Sequence, residues 1–171
     1  CDGHRALLRA IRKVCPHVTL QRCVIHVQRM CRIWLSGNPK SIPGQELRKI
    51  VSTLHQIQSK KELSYWLLDL ANWDARHHQF VHEKTVNPIT GEFWYKHKLL
   101  RRSFYVLTSA LPNLFAYLDK PRIPKSTNGL ESFFGHLKNN LNIHRGLSTG
   151  NRKSFLRWYL YFKNARRKGF S

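Results

Sequence analysis

Residues 126–142, S-T-N-G-L-E-S-F-F-G-H-L-K-N-N-L-N, hold the strongest helical pattern in the chain and its most unusually placed carboxylate. Leu130, Phe133, Phe134, Leu137 and Leu141 recur at the spacing of one narrow apolar stripe, which predicts an amphipathic helix. Glu131 lies about 100° round from Leu130, on the flank of that stripe. Gly135, Lys138 and Asn142 share the flank, four, seven and eleven residues further on. A carboxylate, a gap in the side-chain wall, a cation and an amide therefore stand in one row. A gap beside a carboxylate lets a backbone or a metal ion approach. The same residues also read as a capping box, with Asn128 as the cap and Glu131 at the third helical position. The two readings are compatible.

Downstream, a turn at 144–150 precedes a last amphipathic helix carrying Phe155, Trp158, Tyr159 and Phe162. Upstream, D-K-P-R-I-P-K-S-T-N at 119–128 is a loop with two prolines and no periodicity. Residues 40–118 read as mostly helical. Pro43 suits a first helical turn, with Leu47, Ile50, Val51, Leu54 and Ile57 as the apolar face behind it. Ser59 and Glu62 form a capping box ahead of Leu63, Trp66, Leu67, Leu70 and Trp73. N-P-I-T-G at 87–91 is a turn, a helix is expected over about 97–110, and Pro112 opens a shorter one.

In residues 1–39, Leu7, Leu8, Ile11 and Val14 predict a helix ended by Cys15-Pro16. V-T-L-Q-R-C at 18–23 reads as a short strand. Val27, Met30, Cys31 and Trp34 mark a second helix, stopped by S-G-N-P at 36–39. One strand cannot form a parallel sheet, so the class is mainly α with one or two short β-strands. The division expected is 1–39, then a helical 40–118, then 119–171. The chain begins at Cys1 and its single Met is internal, so it reads as a fragment with further strands expected upstream.

Charge is the dominant global signal: 30 Lys and Arg against 9 Asp and Glu give a net +21. Such an excess favours a polyanionic partner. Its interleaving with 5 Trp, 6 Tyr and 9 Phe points to a folded basic surface rather than a disordered tail. Nucleic acid is the leading partner. No apolar run reaches the roughly 18 residues of a membrane span, and no signal peptide is evident. A cytoplasmic location and reduced thiols are expected for Cys1, Cys15, Cys23 and Cys31. No C-x-x-C pair occurs, which argues against a zinc ribbon. After Glu131 there is no Asp or Glu. Lys138, Arg145, Arg152, Lys153, Arg157, Lys163, Arg166, Arg167 and Lys168 follow it, an unmixed positive run consistent with phosphate contact.

Seven of the nine carboxylates read as helix-turn, solvated or loop positions. Asp2 joins Glu131 as an exception. It precedes Gly3 at a helix start, where α/β folds place active residues at strand ends; it equally reads as an N-cap. Cys23 and His26 form a C-x-x-H pair at the start of the second helix. Two ligands do not make a zinc site, and packing near a strand end is the competing reading.

D-G-H-R-A-L-L at 2–8, Q-R-C-V-I-H at 21–26, S-T-N-G-L-E at 126–131 and W-Y-L-Y-F-K-N at 158–164 occur in this order and resemble the Mutator-type DDE transposases of bacterial insertion sequences. The resemblance implies the C-terminal part of an RNase H-like α/β domain carrying an all-helical insertion. In it, Asp2 is the middle Asp and Glu131 the final Glu of a carboxylate triad. Cys23 and His26 are a motif pair near the site, and Asp2 and Glu131 bind Mg²⁺ or Mn²⁺, with two ions expected in the complete site. Lys138, Arg145, Arg152, Lys153 and Arg157 would bind DNA. It further implies double-stranded DNA (transposon ends and target) as partner, self-association of the parent protein and a nucleoid-associated location in a bacterium. The first Asp of the pattern would lie before Asp2, so this chain alone is expected to be inactive. Two other classes fit the composition: a non-catalytic basic nucleic-acid-binding protein, in which Asp2 and Glu131 are caps, and an RNA-associated helical protein.

Overall fold

In the computed structural model, which describes residues 1–167, the chain is mainly α-helical with two short β-strands. The helices are α1 (Arg5–Val14), α2 (Val24–Leu35), α3 (Ile42–Thr53), α4 (Lys60–Val81), α5 (Lys98–Ala110), α6 (Ala116–Asp119), α7 (Asn128–Ile143) and α8 (Thr149–Arg167). Strands β1 (Lys84–Val86) and β2 (Phe93–Tyr95) pair antiparallel between α4 and α5. Two compact units result, residues 1–127 and 128–171.

In the first unit, α2 packs against α3 and α5, and α3 against α4. The core takes Val24, Val27, Cys31 and Leu35 from α2, Leu47 and Val51 from α3, and Trp66, Leu70 and Trp73 from α4. Leu100, Phe104 and Leu107 of α5 complete it. Each fully buried Val or Leu contributes about 1.5–3 kcal/mol relative to exposure. Local chemistry agrees with this packing. Ser59 accepts the Glu62 N–H, Glu62 accepts from Gln58 and Ser59 N–H, and the expected capping box opens α4. Pro43 occupies the first turn of α3, behind a Ser41 cap.

Buried amides tie the layers together. Gln28 Nε2 donates to Val51 O and Ser52 O. The Trp66 and Trp73 indoles donate to Ile50 O and Pro43 O, each at 2.9 Å.

Three expectations differ. Residues 18–23 are not a strand: Val18 closes a turn on Cys15, and the backbone of 21–23 bonds to Cys1 and Asn113 rather than to a neighbouring strand. The α2 stripe is centred on Val24, Val27, Cys31 and Leu35, so Met30 and Trp34 sit at its edge, only partly covered. The 87–91 turn closes a hairpin that alternation over so few residues did not reveal. Asn87 Oδ1 accepts from Ile89 and Thr90 N–H, and Gly91 takes φ +71°, a conformation glycine adopts without strain.

In the second unit, Phe133 of α7 packs against Phe134 and Tyr159, with ring centroids 5.5 and 5.7 Å apart, and Leu137 is buried.

Candidate active site

The residues around Asp2 are assembled by backbone hydrogen bonds between segments far apart in sequence. The Cys1 amino group donates to Gln21 O at 2.7 Å, and Cys23 N–H donates back to Cys1 O at 2.7 Å. These two bonds flank Arg22 in the alternating pattern of a parallel pair. Val24 N–H donates to Lys125 O at 2.9 Å, and Thr127 N–H donates to Cys23 Sγ at 3.4 Å. The D-G segment, the Q-R-C-V-I-H segment and the lead-in to S-T-N-G-L-E therefore meet at Cys23.

Gln21 anchors this junction. Its Nε2 donates to Arg22 O and Leu114 O, and its Oε1 accepts Tyr117 N–H at 3.1 Å. Arg22 N–H donates to Asn113 O. A buried amide satisfied on both ends fixes the path of the backbone, because an unmatched one costs about 1–3 kcal/mol.

Asp2 is exposed, and its Oδ1 accepts His4 N–H at 3.0 Å, an Asx turn at the entrance to α1. The helix cap itself falls on His4, whose side chain makes no capping bond. The His4 N–H holds the Asp2 carboxyl below its usual range; partial burial opposes this, and His26 adds to it. Asp2 is thus ionised at neutral pH, and His26 of the C-x-x-H pair lies within its electrostatic reach.

Cys23 is 2% exposed, and its sulfur accepts the Thr127 backbone N–H. Burial pushes the other core thiol, Cys31, up, and its Sγ lies 3.5 Å from Ser103 O. Among the described residues the cysteines form no disulfide.

Sequence reasoning missed Arg22. It is 8% exposed, and its Nε finds no hydrogen-bond partner among the described residues. Burial pushes its guanidinium down from the ordinary value, and the charge of Asp2 opposes that. Gly3, at φ +89°, packs directly on it: a Cβ there would fall 2.3 Å from Arg22 Nη2. Only glycine combines that backbone with that approach. The signal available in the sequence was the glycine after Asp2; its partner was not deducible.

Glu131 lies in the first turn of α7 and is exposed. The helix begins at Asn128, so Asn128 is its first residue and not the cap that the sequence pattern implied. A Cβ at Gly135 would meet no atom within 4 Å, in keeping with the expected gap on that flank. Lys138, Arg145, Arg152, Lys153 and Arg157 are all exposed. Lys168 lies outside the described residues, as do the side chains of Arg166 and Arg167.

Ion pairs or capping engage Glu46, Glu62, Asp74, Glu83 and Asp119. Among the described residues no group of three or more His, Cys, Asp or Glu is positioned around a common metal position.

A family model described as "Transposase, Mutator family" matches residues 1–146, a span that includes Asp2, Cys23, His26 and Glu131. This chain belongs to the Mutator family of transposases. Membership carries DNA transposition as the general activity and DNA as the partner. No curated protein and no solved structure matches the chain. As a Mutator-family chain it has a strongly basic composition suited to that polyanion. Among the described residues, no helix is long and apolar enough to cross a membrane.

Proposed function

We propose that this chain provides two carboxylates, Asp2 and Glu131, of an RNase H-like, metal-dependent site that cuts and joins DNA at transposon ends. The observation that carries this reading is that Cys1, next to Asp2, and Thr127, at the head of the S-T-N-G-L-E segment, both bond to Cys23. The parallel-type bonding of Cys1 around Arg22 supports an extended sheet position for 21–23.

The donor set suits Mg²⁺ or Mn²⁺ in kind, because an ionised carboxylate is an oxygen ligand for a hard cation. It does not suffice in number: two carboxylates leave a two-ion site incomplete, so a further oxygen ligand is expected. When bound, the metal ions would supply Lewis-acid activation of the attacking and leaving oxygens of a phosphodiester. The protein's own contribution is to position. The Asx turn at His4 fixes the Asp2 carboxylate, and Arg22 packed on Gly3 holds the turn. Lys138, Arg145, Arg152, Lys153 and Arg157 hold DNA phosphates and carry no sequence information.

The test uses the whole protein with Mg²⁺ and a transposon-end duplex. Asp2→Asn and Glu131→Gln should each abolish Mg²⁺-dependent strand cleavage while leaving duplex binding intact. Cleavage unchanged in either variant would remove that residue from the site. Unchanged cleavage in both would favour a non-catalytic basic binding protein in which the two carboxylates serve helix starts.

A further inference from the structure

The hairpin between α4 and α5 carries aromatic side chains that the fold does not bury. Phe93 is 55% and Trp94 47% exposed. The register pairs Lys84 with Tyr95, Thr85 with Trp94 and Val86 with Phe93, so Phe93 and Tyr95 share one face and Trp94 occupies the other. Strands of three residues enclose no core of their own. Folding therefore does not account for rings left open on both faces.

The face with Tyr95 is built of alternating cations and rings. Lys84 Nζ lies 4.1 Å from the Phe93 centroid and 5.6 Å from that of Tyr95. The Arg101 guanidinium lies 3.8 Å from the Tyr95 centroid and 4.5 Å from that of Tyr105. His82 Nε2 and the Tyr105 hydroxyl are 3.1 Å apart, which fixes the far end of the row. A cleft of about 400 Å³ adjoins it, lined by Lys98, Leu99, Arg101, Arg102 and Tyr105.

Charge selects the partner. Residues 83–102 contain five Lys and Arg against two Glu. One of the two, Glu83, is engaged by Lys96 at 2.5 Å and by His97 at 2.9 Å. A surface that joins exposed flat rings to unneutralised cations matches a nucleotide strand: π-faces for the bases, ammonium and guanidinium groups for the phosphates. Duplex DNA hides its base faces in the stack, so the rings select for unpaired nucleotides.

We propose that the face of the β1–β2 hairpin that carries Phe93 and Tyr95, with the adjoining end of α5, binds single-stranded DNA, with an unpaired base stacking on Phe93 and phosphates held by Lys84, Lys98 and Arg102. The surface is built from β1, β2 and α5 and uses no residue of α7 or α8. The proposal rests on the chain acting on DNA and not on Asp2 or Glu131 being catalytic.

The test measures binding of the full chain to a fluorescein-labelled oligodeoxynucleotide by anisotropy, single-stranded and as a blunt duplex. Phe93→Ala should weaken single-strand binding about tenfold or more and change duplex binding by less than about twofold. Phe93→Tyr, which keeps a stacking face, should bind single strands like the wild type. Phe93→Leu, which keeps an apolar strand residue without a π-face, should behave like Phe93→Ala. Far-UV circular dichroism reports folding, and Phe93→Leu decides the matter if the alanine variant disturbs the hairpin. Wild-type single-strand affinity in Phe93→Leu overturns the proposal. Equal losses on single strand and duplex also overturn it, because a duplex offers no open base face to the ring. The readout is binding and not strand cleavage, so failure of the catalytic reading is distinguishable from failure of this one.

Discussion

Placing alanine at position 3 probes the structure around Asp2 most sharply. Gly3 sits at φ +89°, and a methyl group there would lie 2.3 Å from Arg22 Nη2 and 2.5 Å from Cζ and Nε. Holding an L-residue at positive φ costs about 1–2 kcal/mol. The guanidinium must also swing aside. Arg22 is only 8% exposed, so it leaves packed surroundings, a cost of about 1 kcal/mol on the scale of one buried polar contact. The sum is about 2–3 kcal/mol, within the range of a disruptive single substitution. With a urea m-value of about 1–3 kcal/mol/M, the midpoint should fall by about 1 M or more. A double-mutant cycle separates the two parts. Arg22→Ala removes the collision but not the backbone cost, so Gly3→Ala should be about 1 kcal/mol less damaging in the Arg22→Ala background. Additivity of the two substitutions would refute the Gly3–Arg22 contact. A Gly3→Ala shift below about 0.5 kcal/mol would refute the strained turn as well.

Other consequences can be checked with simple variants. Trp73→Phe removes the indole donor to Pro43 O in the core, and should cost about 1–3 kcal/mol in urea unfolding. Glu62 has its carboxyl held below 4.5 chiefly by the Gln58 N–H, so its folded value is depressed. Its stabilising contribution is present above 4.5 and is lost as pH falls through the lower folded value. The stability difference between wild type and Glu62→Gln should therefore shrink as pH falls well below 4.5, and a difference that persisted there would contradict the capping assignment. Lys153→Ala and Arg157→Ala should each weaken duplex binding whatever its sequence, and flatten the salt dependence of log K by about one unit if each contacts a phosphate. An unchanged slope removes that residue from the interface.

Much of the helical framework was legible because local chemistry and periodicity agree there. The Ser59–Glu62 capping box, Pro43 in a first turn, and the stripes of α3, α4 and α7 all depend on residues within a turn or two of each other. Legibility failed where partners are distant. The segment 18–23 has strand-like residues, but a strand is defined by its neighbour, and the backbone bonds of 21–23 go to single residues, Cys1 and Asn113. The 84–95 hairpin has too few residues per strand for alternation to show, although Phe93, Trp94 and Tyr95 beside a Gly-containing turn were a usable cue. On α1 the helix was foreseen from Leu7, Leu8, Ile11 and Val14, yet none of its residues is buried, and Val14 is 76% exposed. At the site, Asp2, Cys23, His26 and Glu131 stood out by order and spacing. Arg22 did not, because a buried guanidinium resting on a glycine nineteen residues away leaves no local pattern.

The claim that Asp2 and Glu131 share bound metal is tested most directly by Fe²⁺-directed cleavage of the polypeptide. The full-length protein would be loaded with Fe²⁺ in place of Mg²⁺ and treated with ascorbate and peroxide, and the fragments mapped. The account predicts backbone cuts beside both Asp2 and Glu131, suppressed by excess Mg²⁺ and lost together in either Asp2→Asn or Glu131→Gln. Cuts near only one of the two positions, or cuts at one that survive loss of the other carboxylate, would contradict it.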